Sequence, residues 1–223
     1  MLRMPARLLQ ATAVLLLCLC SGLAKAGPPA GAVVGLAGQV FVDRSGQRYG
    51  LRLGEQVFVD DTLTVPAGAK LKLRMNDGSV LSLAENTTLR IDVYTLNSLG
   101  QRQSATVSLV GGLIRAITAP GAQPATFEVN TAVGTSGVRS TDWFAGVLTA
   151  SPPPGSRLSG AAPGTAFVVV LSGSVALTSR ATGGSVLIPP RYGSRLDAGR
   201  DPYPPALHTQ AEFDRLIART EVP

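Results

Sequence analysis

Arg139, Thr141, Asp142 and Trp143 stand together in the segment GVRSTDW, Gly137 to Trp143, which holds the chain's one tryptophan. A guanidinium beside an indole can form a cation–π contact, and the neighbouring carboxylate and hydroxyl supply hydrogen bonds, so these four residues form a candidate partner-binding surface. If the segment is extended, Arg139, Thr141 and Trp143 share one face while Val138, Ser140 and Asp142 share the other. The competing reading puts Trp143 in the core, with Arg139 covering its edge or pairing with a carboxylate. Either way the chemistry is recognition rather than bond making.

Bond-making constellations are sparse. His208 is the only histidine, and both cysteines, Cys18 and Cys20, lie in an apolar run near the start of the chain. The usual zinc ligand set cannot be assembled from these residues, and His208, among prolines before a helix start, is expected to be exposed. No G-x-S-x-G elbow, no D-x-D-x-D-G calcium loop and no phosphate-cradling glycine motif occurs, so no cofactor, metal or catalytic residue is expected. Asp60 and Asp61 are adjacent and would point to opposite faces of a strand, so they are read as turn residues ahead of Thr62-Leu63-Thr64. Asp92, Glu128 and Asp142 would serve an enzyme acting on envelope polysaccharide only if two of them converged in a cleft.

The elements that must position these residues begin with a leader. Arg3 and Arg7 precede the apolar run Leu8 to Leu23, and Ala24-Lys25-Ala26 gives a small-x-small cleavage site, so residues 1–26 are read as a signal peptide and Gly27 as the mature start. The run contains Gln10, Thr12, Ser21 and Gly22 and falls short of the roughly 20 residues of a spanning helix. Leucine precedes each cysteine where lipoprotein signals place a small residue, which argues against lipidation. The mature chain is then cysteine-free and must hold its fold by its core alone. The formal net charge is +6, but Arg3, Arg7 and Lys25 leave with the leader. No basic run of five occurs, which argues against nucleic acid as a partner. No later segment is long and apolar enough for a transmembrane helix.

From Ala32 onward, apolar residues recur at a period of two, the signature of half-buried strands. Leu71, Leu73 and Met75 alternate with Lys70, Lys72 and Arg74, and Leu81 and Leu83 follow the turn Asn76-Asp77-Gly78-Ser79, whose Asp-Gly marks a hairpin. Val107 and Leu109, then Leu113, Arg115 and Ile117, then Phe127 and Val129 continue the pattern. Val168 to Leu171, Val175 and Leu177, and Val186 to Ile188 complete it. With no helix long enough for a crossover, the expected fold is all-β: a sandwich, a jelly roll or a short β-solenoid over residues 27–200. Residues 149–165, rich in proline, glycine and serine, read as a long exposed loop inserted between strands. Residues 201–223 form a proline-rich segment and a short C-terminal helix, in which Thr209 and Glu212 have capping-box spacing and Phe213, Leu216 and Ile217 share a face.

The order of these blocks resembles the FecR domain family of bacterial envelope proteins, over roughly Val33 to Leu196. The resemblance rests on LRLGEQV, DTLTVPAGAKLKLRMNDGSVLSL, VSLVGGLIRA and FEVNTAVGTSGVRSTDW in that sequence. Ser140 replaces the glycine usual in the last block, and Ala132 stands where proline is frequent. The resemblance implies a FecR-type β-domain. The family's named members are transmembrane regulators with a cytoplasmic segment that contacts a sigma factor and a periplasmic domain that senses a receptor; this chain resembles only the periplasmic part. The expectation is an exported, periplasmic or secreted, non-enzymatic module that binds a protein or ligand of the cell envelope. Its alternatives are a structural component of an envelope assembly and a carboxylate-dependent polysaccharide enzyme.

Overall fold

The computed structural model describes residues 27–122, 126–138 and 140–222; the leader and Arg139 lie outside the described residues. Seventeen strands and one helix are found among the described residues. The strands are β1 (Pro29–Ala37), β2 (Phe41–Arg44), β3 (Gln47–Gly50), β4 (Gln56–Phe58), β5 (Thr62–Val65), β6 (Lys70–Met75), β7 (Val80–Leu83), β8 (Thr87–Leu96) and β9 (Arg102–Ile117). They continue as β10 (Thr126–Asn130), β11 (Gly134–Val138), β12 (Asp142–Val147), β13 (Ala166–Ser172), β14 (Val175–Ser179), β15 (Ser185–Ile188), β16 (Tyr192–Leu196) and β17 (Ala206–Leu207); helix α1 is Gln210–Thr220.

Alternation fixes which side of each strand is buried, and the buried sides face each other in two layers. The first layer runs β4-β1-β6-β7-β9-β12-β13-β16-β17 and the second β3-β2-β5-β8-β9-β10-β11-β14-β15. Pairing is antiparallel except between β9 and β10, which run parallel. The sandwich is thus the expected alternative that the chain adopts. Its core joins Leu71, Leu73 and Trp143 of the first layer to Leu89, Val107 and Phe127 of the second, all buried.

Strand β9 belongs to both layers. Its first half pairs with β8 and β10, its second with β7 and β12. Ala105, Val107 and Leu109 point into the core, whereas beyond Gly111-Gly112 the core-facing residues are Ile114 and Ala116. A bulge between Leu109 and Gly111, opposite Leu89 and Thr88, therefore reverses the parity, as one extra residue in a period-two pattern must. Leu113, Arg115 and Ile117, read from sequence as one continuing alternation, consequently lie on the outer face of the first layer. Gly112 has φ +95°, and a Cβ there would come within 2.4 Å of the Thr87 hydroxyl. That hydroxyl accepts from Leu113 N at 3.1 Å and donates to Leu113 O at 3.2 Å, stitching the crossing to the start of β8.

The outer face of the first layer carries a second apolar cluster: Leu113, Phe144, Phe167 and Val169 under Phe213 of α1, with Leu158, Leu216 and Ile217 at its border. Strand β13 is accordingly buried on both faces, which explains why AFVVVL lacks polar alternates. Helix α1 begins with the expected capping box, in which Glu212 Oε2 accepts from Thr209 N at 2.7 Å. Its far end is held by Lys70 Nζ, which donates to Ala218 O at 2.7 Å and Glu221 O at 2.9 Å. Residues 149–165 are not a free excursion: Leu158 borders the second cluster and Ala161 is buried.

Candidate functional site

The segment Gly137–Trp143 is a corner, not one extended strand: β11 ends in the second layer at Val138 and β12 starts in the first at Asp142. Val138 and Trp143, placed on opposite faces by an extended reading, both enter the same core, and Trp143 is 0% exposed. The indole therefore presents no surface to a partner, and the core reading is the one the geometry follows. Thr141 is also buried; its N–H donates to Thr118 Oγ1 at 2.9 Å and its hydroxyl to Ser174 O at 3.2 Å. Gly173 (φ +82°) passes so close that a Cβ would meet Thr141 Oγ1 at 2.7 Å.

Asp142 points to the outer face of the first layer, where both oxygens are taken by Arg115: Nε to Oδ1 at 2.9 Å and Nη2 to Oδ2 at 2.7 Å. The hydrogen bonds to Asp142 raise the Arg115 pKa further above its already high value, against the desolvation that lowers it. Of the four residues proposed from sequence, Trp143 and Thr141 build the corner, Asp142 faces out as a bidentate ion pair, and Arg139 is outside the described residues. Gly137, Val138, Ser140 and Thr141 line a shallow pocket of about 390 Å³ on the outer face of the second layer.

The larger concavity, about 760 Å³, lies on the other side of the sandwich. Its floor is Phe167 and Val169 of β13; one wall is Pro152, Pro153 and Leu158 of the 149–165 loop, and the other is Leu216 of α1. Two glycines make room for its rings: the tip of the Phe167 ring lies against Gly146, where a Cβ would sit 2.1 Å from Cζ, and His208 lies against Gly193, where a Cβ would sit 2.5 Å from Nε2. His208 is thus packed against the sheet with its side chain 13% exposed, not the solvent-facing residue expected. Burial lowers its pKa, outweighing the attraction of Glu212, so the imidazole is neutral at neutral pH. Its Nδ1 stands 3.7 Å from Glu212 Oε2.

Glu212 joins loop to helix. Burial works against its charge, but hydrogen bonds from Arg157 and Thr209 prevail and hold its carboxyl at about 2. Arg157 of the loop donates to Oε1, so the loop wall is tied to the first turn of α1. Arg215 and Arg219 stand one helical turn apart at the rim, with no ion-pair partner among the described residues. Sequence reasoning missed this groove because its parts come from four separated segments; the available signal was the doubly apolar β13.

Other charged residues serve the scaffold. Asp60 is a turn residue with φ +72°, as expected, but Asp61 is fully buried and accepts from Arg44 Nε at 2.7 Å and Nη2 at 2.8 Å. Asp77 and Arg102 form an ion pair with side chains 1% and 0% exposed. Asp77 also accepts from Ser79 Oγ at 2.8 Å and Tyr94 Oη at 2.9 Å, and Arg102 donates to Ala119 O at 2.9 Å. The Asp-Gly-Ser hairpin between β6 and β7 is thereby pinned to β8 and β9. Asp92 accepts from Ser108 on the second layer, and Glu128 lies on that layer's outer face, opposite the face that carries Asp142. Asp142 therefore does not meet Glu128 in one cleft.

The model of the FecR protein family matches residues 61–176, a little over half of the sequence. The chain belongs to the FecR family. The FecR match takes in the Asp77 hairpin, the β9 crossing, the Gly137–Trp143 corner and the loop wall of the groove, while β16, β17 and α1 lie beyond it. No curated protein matches the sequence. Two crystal structures of a "putative anti-sigma factor" from Parabacteroides distasonis ATCC 8503 superpose with a TM-score of 0.51 at 12% identity, over 69% of this FecR-family chain and 62% of that one. The chain thus spans less than two thirds of that protein, and the likeness is one of fold.

Proposed function

We propose that this FecR-family chain is an exported, non-enzymatic module that binds a protein or ligand in the bacterial envelope and takes part in envelope signalling. The family match over residues 61–176 carries the reading. The leader pattern of residues 1–26 supports export, and the fold shared with the protein called a "putative anti-sigma factor" supports a regulatory setting. The non-catalytic part is supported by the use of Asp61, Asp77 and Asp142 as partners of arginines within the scaffold. Against a structural assembly, the outermost strands β3 and β15 of the second layer are four residues each, and β15 runs into Pro189-Pro190, features that blunt an edge.

The test is fractionation of the source bacterium with intact mass measurement, followed by photo-crosslinking from a probe at Leu187, 66% exposed beside the corner pocket. The expected result is a periplasmic protein starting at Gly27 and one discrete crosslinked envelope protein. A chain retained in the cytosol with residues 1–26 intact overturns the reading.

A further inference from the structure

The groove between the 149–165 loop and α1 joins an apolar floor to a basic rim. Its floor, Phe167 and Val169, is apolar, and Gly146 and Gly193 leave room for the Phe167 and His208 rings that line it. Two of its lining residues each carry a buried polar atom, Ser156 Oγ and His208 Nδ1, with no hydrogen-bond partner among the described residues. Buried polar atoms in native folds are otherwise nearly always satisfied. The charge at the rim is one-sided: Glu212 is already paired with Arg157, whereas Arg215 and Arg219 have no acidic partner among the described residues. A concavity of about 760 Å³ lies in the range of small-molecule sites, about 300–1,000 Å³.

We propose that this groove binds a single-chain anionic amphiphile of the fatty-acid type, its apolar body on Phe167 and Val169 and its carboxylate at Arg215 and Arg219. The proposal deepens the binding-module reading and rests on it only for the compartment in which the ligand is met. The apolar surface of Phe167 and Val169 accommodates hydrocarbon, Arg195 beside Phe167 is engaged with Asp197 and the Tyr203 ring, and two guanidiniums at successive helical turns favour a carboxylate over an uncharged head. A phospholipid offers a similar anion with two chains and a larger head, and the experiment separates it from the single-chain ligand.

The purified protein beginning at Gly27 is titrated with dansyl-undecanoate while its emission is followed. The expected result is saturable, blue-shifted emission that palmitate displaces and cetyl alcohol displaces about tenfold less well. The double variant Arg215→Ala, Arg219→Ala is expected to bind about tenfold more weakly with an unchanged melting temperature. Ser156→Trp, on the loop wall, is expected to block the groove without touching the sandwich core. Absence of saturable emission, unchanged affinity in the folded double variant, or binding to phosphatidylglycerol vesicles but not to the monomeric probe would each overturn the proposal. Crosslinking to an envelope protein is scored separately, so failure here leaves the binding-module reading intact and the converse also holds.

Discussion

At the scale of single residues, the fold depends on charges placed where charge is costly. Arg102 and Asp77 are withdrawn from water, and their attraction offsets that loss only because Ser79, Tyr94 and the Ala119 carbonyl complete the hydrogen bonding. Burial and the Asp77 carboxylate together push the Tyr94 phenol well above its ordinary range, so it remains a donor at any physiological pH. Replacing Arg102 by Met is expected to cost roughly 3–5 kcal/mol, because it strands a buried carboxylate. Pairing it with Asp77→Leu should recover part of that loss, and guanidinium denaturation of both variants measures the difference. Trp143→Ala is expected to destabilise by about 3–5 kcal/mol in the same assay, as loss of a fully buried indole does. A stable Trp143→Ala protein would contradict the placement of the ring between the layers.

At the scale of elements, α1 depends on its first turn. The folded-state carboxyl of Glu212 titrates near 2, while an unfolded glutamate titrates at about 4.3. Its contribution is therefore fully present above the unfolded value and is lost as pH falls toward 2. Glu212→Gln should lower the melting temperature at neutral pH, and the gap from the parent should close between about pH 4.5 and pH 2. The strands were largely legible: the Asp77-Gly78 turn, the alternation of β6 and the capping box of α1 all follow from residue type and spacing. The parity reversal in β9 was not, because two glycines announce a bend without saying that the strand changes layers. Nor was the burial of Arg102 and Asp61, since a charged residue beside a turn reads as solvated until tertiary partners close over it. The corner at Gly137–Trp143 misled for a related reason, as period-two reasoning presumes that the strand continues. The groove was not read from sequence, because loop, strand and helix meet there only after folding and the doubly apolar β13 was its one trace.

At the scale of the whole molecule, β9 makes the two layers a single hydrogen-bonded body. Gly112→Ala would set a Cβ within 2.6 Å of Thr87 and the Asn86 carbonyl, at a backbone angle that L residues avoid. Soluble folded protein is expected to fall sharply, while Gly137→Ala, with open space around its Cβ, should accumulate normally. Unfolding should also be one event: Trp143 fluorescence and far-ultraviolet dichroism are expected to trace the same denaturation curve, and separated midpoints would show that the layers melt independently. The chain does this without a covalent staple, since residues 27–222 contain no cysteine. Strand β9 has a mechanical consequence as well. Under tension the leaves of the sandwich cannot shear apart as two plates, because one continuous backbone runs through the middle of both; rupture must peel inward from the margins, and the last part to yield is the spine at Gly111-Gly112.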